Sequence, residues 1–222
     1  MIRAVIFDMY ETLVTLTRGV QCFSGDMAAM AGQRGEALHA FRAAWRATED
    51  ARMTGLPVED ALRHTMEATG CLDTAVYGRI LLARYASRRI LPENMHPDIL
   101  PMLDVLRARG LQVGLVTNCQ SDEEAAIRDS GLMECFDVPV FSFSAGVMKP
   151  DPAIFRLCLE GLHLSPAECL YVGDGGSREL QAASALGMRA LQAAWYLPAG
   201  EKVAGFVALA HPMDLLSHLD EN

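Results

Sequence analysis

The chain has 222 residues, 51% of them hydrophobic and 21% charged, and a net charge of −9. That balance is globular rather than disordered, and the length suffices for one large core or for a core with a second one inserted. The negative charge gives broad nucleic-acid binding no electrostatic support, and no apolar run approaches the roughly 20 residues that span a bilayer.

The first predicted strand covers 3–8 and ends on an acid, Asp8, in the run VIFDMYETLV. One basic residue and then an apolar run of only four lead to that acid, too short for a secretory signal, so the cytoplasm is the expected compartment. Residues 16–92 then read as helix almost throughout, in GEALHAFRAAWRATEDARM, VEDALRHTMEATG and LDTAVYGRILLARYASRR. After Pro92 a helix in HPDILPMLDVLRARG leads to a strand at 111–117. Further strands are expected at 138–143, 168–173 and 188–194, and helices at 121–132, 151–162 and 177–187. Strands alternating with helices of about ten residues predict an α/β fold, a parallel sheet with helices on both faces. The division expected is a core of 1–15 and 93–222 with a helical cap at 16–92. On such a sheet ligands bind at the carboxyl ends of strands, where Asp8, Asn118 and Asp174 fall.

Four segments carry chemistry: FDMYET, LVTN, VMKPDPAIF and YVGDGGSREL. Each alone is common, since a strand ending in Asp, a Lys-Pro-Asp turn and a Gly-rich turn occur in many α/β proteins. Their order and spacing resemble the haloacid dehalogenase superfamily over essentially the whole chain, with its Rossmann-like core and a helical cap inserted after the first motif. The resemblance implies that Asp8 is the nucleophile and forms an aspartyl intermediate. It implies that Thr117 and Asn118 hold the transferred group and that Lys149 neutralises charge on the nucleophile and on the developing anion. Lys149 is one of only two lysines in the chain. Asp174, Asp8 and the backbone carbonyl of Tyr10 would hold Mg²⁺, a hard ion that prefers oxygen. Glu179 and Gly175 would support that site, and Thr12 would order the loop after Asp8.

Tyr10 is the departure. Phosphatases of this superfamily usually place an Asp there to protonate the leaving alkoxide, and a phenol of pKa about 10 is a poor acid at neutral pH. The branch that cleaves carbon–halogen bonds also has Tyr at this position, and a halide leaves without a proton. Trp45 and Arg46 resemble a Trp-Arg pair that this branch sets over its site, Arg46 facing the substrate; otherwise Trp45 is a core anchor and Arg46 a surface charge. The last motif points the other way: the metal-free dehalogenases have serine, asparagine and aspartate where this chain has Asp174, Gly176 and Glu179, and a tyrosine in place of Phe155. A third branch, the phosphonoacetaldehyde hydrolases, needs a cap lysine, and 16–92 contains none. The expectation is a Mg²⁺-dependent phosphatase of a small, anionic phosphorylated metabolite, monomeric or homodimeric, with no nucleic acid or membrane as partner. The alternatives are an (S)-2-haloacid dehalogenase and a catalytically weak binding or regulatory protein.

The remaining reactive side chains read as bland. The six cysteines show no metal or C-x-x-C spacing and are expected to be reduced core thiols, Cys119 included. The histidines show no metal spacing either. Arg84, Arg88 and Arg89 are expected at a solvated helix end, where an anionic substrate under the cap could use one.

Overall fold

The structure is a computed structural model and describes residues 1–198 and 200–219. Six strands form one parallel sheet: β1 (Ala4–Phe7), β2 (Gln112–Thr117), β3 (Val138–Phe141), β4 (Cys169–Gly173), β5 (Arg189–Ala193) and β6 (Val207–Leu209). Their order is β3-β2-β1-β4-β5-β6. β1 and β4 are buried along their whole length, as strands covered on both faces must be, and this is why they read as unbroken apolar runs.

Alternate side chains of β1 feed two cores. Val5 and Phe7 join Met102, Leu103 and Leu106 of α6 (Ile99–Ala108) on one face. Ala4 and Ile6 join Ile154, Phe155 and Cys158 of α9 (Pro152–Leu162) on the other, with Leu180 of α10 (Glu179–Ala185). α9 comes close to β2 because position 114 is glycine: a Cβ there would stand 2.7 Å from Cys158 Sγ. Two shorter helices, α7 (Ser121–Arg128) and α8 (Ser142–Ala145), follow β2 and β3.

Between β1 and α6 lie five helices: α1 (Ser24–Met30), α2 (Gly35–Ala47), α3 (Glu49–Met53), α4 (Val58–Ala68) and α5 (Thr74–Arg88). They bury an apolar cluster of their own, including Met27, Phe41, Leu62, Met66 and Ile80. The two crossings between this block and the sheet are tied together at Asn94. Its Nδ2 donates to the carbonyls of Thr15 and Arg18 at 3.3 and 3.1 Å, and the Thr15 amide donates back to the Asn94 carbonyl. No helix among the described residues is long and apolar enough to cross a membrane.

Several elements differ from the sequence expectation. The helix expected over 35–53 breaks at Thr48, whose hydroxyl donates to the Trp45 carbonyl at 2.9 Å and competes with the helical ladder. The helix expected from 177 starts at Glu179, because Ser177 and Arg178 both take positive φ. α1 and the edge strand β6 were not anticipated. The solvated end expected at Arg84 and Arg88 is instead buried, with 1% and 3% exposure; Arg89 alone of the three is exposed.

Candidate active site

Parallel register brings the carboxyl ends of the central strands level. Phe7 pairs with Leu115 on one side and Val172 on the other, so the residues after them emerge at one edge. The Asp8 amide continues the ladder by donating to the Val172 carbonyl at 2.9 Å. Asp8 and Asp174, 166 positions apart, thereby meet: one oxygen each from Asp8, Asp174 and Glu179 lies within a span of 4.8 Å.

A single ammonium stands among them. Lys149 Nζ donates to Asp8 Oδ1 at 2.5 Å and to Glu179 Oε2 at 2.5 Å, and all three side chains are buried. Glu179 is fully engaged, since Oε2 also accepts from the Tyr171 hydroxyl at 2.8 Å and Oε1 accepts the Gly175 amide at 3.1 Å. Gly175 bends the chain with φ +100°, and a Cβ there would meet Val203 Cγ2 at 2.5 Å. Asp174 Oδ1 accepts the Gly176 amide at 2.9 Å. Asp8 Oδ2 and Asp174 Oδ2 accept no hydrogen bond from the described residues.

Electrostatics follow from that crowding. Burial pushes the Asp8 carboxyl up; the Lys149 charge opposes this, and the Glu179 and Asp174 carboxylates add to it. Asp174 is pushed up to about 6 by burial, with Glu179 adding. Burial by itself would lower the Lys149 ammonium, but Asp8 and Glu179 outweigh burial and hold it protonated.

The residues after β2 contribute differently from one another. Thr117 is buried, its hydroxyl 3.4 Å from the Asn118 carbonyl, so the hydroxyl is nearly uncommitted. The Asn118 carboxamide is committed: Oδ1 accepts the Lys149 amide at 2.8 Å and Nδ2 donates to the Lys149 carbonyl at 3.0 Å. The Asn118 side chain thus grips the backbone that carries the ammonium. Thr12 is buried with its hydroxyl unpartnered, while its carbonyl accepts from Trp195 Nε1 at 2.8 Å and pins the loop after Asp8. The Tyr10 carbonyl accepts no hydrogen bond among the described residues. The Tyr10 phenol is buried and unpartnered, and burial raises it well above its ordinary value, the Glu123 and Cys119 charges adding. Cys119 is buried, and burial holds its thiol up, far from a nucleophile's range.

Trp45 is buried, and the guanidinium over its ring belongs to Arg52, at 3.8 Å from the centroid, with Arg84 at 5.2 Å. Arg46, one residue on, is exposed and lines a cavity that Trp45 also lines. Sequence reasoning missed Tyr171, Gln120 and Arg52. A tyrosine inside the apolar strand CLYVGD was a usable signal for the first, because a buried hydroxyl needs a polar partner. Nothing local marks the other two.

A family described as haloacid dehalogenase-like hydrolase matches residues 2–187. The chain belongs to that family. This hydrolase is 32% identical over 110 residues, 49% of its length, to the phosphoserine phosphatase of Thermus thermophilus and covers 43% of that protein. The chain spans under half the length of the curated relatives it matches in this stretch. Among solved structures it superimposes on a HAD phosphatase from Thermococcus onnurineus with a TM-score of 0.71 at 22% identity, covering 99% of this chain and 98% of that one. It also matches a 2-haloacid dehalogenase from Pseudomonas syringae pv. Tomato with a TM-score of 0.64 at 22% identity, covering 99% and 98%. These last two likenesses concern the fold.

Proposed function

We propose that this hydrolase is a Mg²⁺-dependent phosphatase of a small phosphorylated metabolite, working through a phosphoaspartyl intermediate on Asp8. One observation carries the reading: three carboxylates converge at the strand ends against a single ammonium, Lys149. Buried acids in such excess are costly unless a cation joins them. The uncommitted donors, Asp8 Oδ2, Asp174 Oδ2 and the Tyr10 carbonyl, are all hard oxygens and fit Mg²⁺. Glu179, with both oxygens in use, orients Lys149 and Gly175. Bound there, the ion would supply positive charge beside the phosphoryl oxygens.

The chain's own groups do the rest. Asp8 attacks phosphorus while the P–O bond to the leaving group breaks, and water then attacks the acyl phosphate to release phosphate and restore the carboxylate. Lys149 offsets charge on Asp8 and on the phosphoryl group throughout. The Thr117 hydroxyl is free to donate to a phosphoryl oxygen, and Asn118 fixes the lysine backbone. Tyr10 is no substitute for the missing acid, because burial raises its pKa further. Good leaving groups, acyl phosphates among them, should therefore react best.

The test is hydrolysis of acetyl phosphate and p-nitrophenyl phosphate. Turnover with Mg²⁺ should vanish in EDTA and return on adding Mg²⁺, and Asp174→Asn should abolish it. Turnover that survives EDTA overturns the reading. The presence of Tyr10 where an acid is usual favours one alternative, 2-haloacid dehalogenation, which predicts chloride release from 2-chloropropionate in EDTA.

A further inference from the structure

A cavity of about 250 Å³ lies between the helical block and the core. Its core wall is Gln120 and Glu123, which follow the carboxyl end of β2 just beyond Asn118, and Leu16, in the segment that leaves the core after Asp8, lines it too. Five arginines line it against two carboxylates, Glu49 and Glu123. Three of the arginines, Arg52, Arg84 and Arg88, are 1–3% exposed.

Their charges are not equally matched. Arg84 is paired with Asp122 at 2.8 and 2.9 Å. Arg88 Nε stands 3.1 Å from Glu123 Oε1 but is misaligned, so this buried N–H makes no hydrogen bond. Arg52 has no carboxylate partner among the described residues. It donates to neutral acceptors only: Gln120 Oε1 at 3.0 Å, the Trp45 carbonyl at 2.5 Å and the Thr48 hydroxyl. Its Nη2 makes no hydrogen bond to the described residues. Burial, then the charge of Arg84, pushes Arg52 down to about 10. Tyr10 Oη is a further buried, unpartnered group, with Glu123 and Arg88 among its charged neighbours.

A buried guanidinium with no anion in contact is costly, and this one, stacked on an indole with Nε and Nη1 already engaged, is held in place with Nη2 left to donate to an oxyanion. At about 30 Å³ per water, the volume admits about eight water-sized groups, enough for an oxyanion and a few carbons. We propose that this cavity is an oxyanion subsite, in which Arg52 and Arg88 hold a second, non-reacting carboxylate or phosphate carried by the leaving group of the substrate. The substrate class is then a phosphate ester of a few carbons that carries a second anionic group. The inference rests on the phosphatase reading for the reacting group alone.

Three substrates with three carbons each test it on the Mg²⁺-loaded full chain: propyl phosphate, 3-phosphooxypropanoate and propane-1,3-diol bisphosphate. One of the two esters with a second anionic group should exceed propyl phosphate at least tenfold in kcat/KM, and whichever does so identifies carboxylate or phosphate as the group held. Equal or lower kcat/KM for both overturns the subsite. In Arg52→Gln and in Arg88→Gln that preference should shrink at least tenfold, mainly through KM, and Arg52→Lys should restore part of it. A proportional loss on all three esters would mean a structural role and ends the proposal. Should Arg52→Gln misfold, the wild-type panel and Arg88→Gln still decide. If the three esters are not hydrolysed, the phosphatase reading stands when acetyl phosphate still reacts with Mg²⁺ and fails by itself when it does not. Calorimetric binding of 3-phosphonopropionate against propylphosphonate then judges the subsite: tighter binding of the first, lost in Arg52→Gln, retains it, and equal binding overturns it.

Discussion

Lys149 is the sole contact cation for Asp8 and Glu179 among the described residues. Replacing it with methionine leaves two buried carboxylates facing each other. Lys149→Met is expected to lower kcat at least about 100-fold and to cost about 3–5 kcal/mol of stability, read by urea denaturation in EDTA; a stability unchanged within error would contradict the geometry. Asp174 gives a test in pH. Its carboxyl is raised from 3.8 to about 6, so between those values the folded chain holds more protons than the unfolded one and loses stability as pH rises. In EDTA, the Tm of Asp174→Asn minus that of the parent should grow as pH climbs from 3.8 to about 6, and a flat difference would count against the raised pKa. The side chains that gather at the strand ends were legible because each stands at the end of an apolar run or beside a turn. What the Asn118 side chain holds was not legible. Its two bonds to Lys149 run to a backbone 31 residues away, which no local pattern encodes.

Helix α5 shows where element-level reading failed. Ile80, Arg84 and Arg88 recur at four-residue spacing and so share one face, and that face is buried. The periodicity was present, but the charge of two members argued for solvent. What reverses it is the start of α7, where Asp122 and Glu123 are buried opposite them. Arg84→Met should therefore destabilise by about 3–5 kcal/mol, because Asp122 loses its partner in a dry place; Arg84→Met with Asp122→Leu should recover most of it. Paired denaturant titrations check this, and equal costs for the single and double variants would refute the clasp. The edge strand β6 escaped notice because three residues carry too little pattern. The helix at 177–187 began late because the turn that presents Asp174 uses two left-handed residues first.

At the scale of the whole molecule, the apolar side chains gather into three bodies, two on the faces of the sheet and one within the helical block. The alternation of strands and helices, and its interruption over 16–92, made that arrangement readable. The seam was not readable, since buried polar partners join segments distant in sequence. Asn94, with 8% exposure, ties the two crossings. Asn94→Ala leaves the carbonyls of Thr15 and Arg18 short of a donor and is expected to cost about 1–3 kcal/mol. Hydrogen exchange should then rise first at Thr15 and around Asn94, and uniform exchange across the chain would argue against a tie at that point.

The chain has two tryptophans, and they sit on opposite sides of that seam. Trp45 lies under the guanidinium of Arg52, and Trp195 holds the loop that follows Asp8. Changing Trp195 to phenylalanine leaves a single indole emitter at the cavity wall, so occupancy there becomes visible as light, with no dye attached and no turnover required.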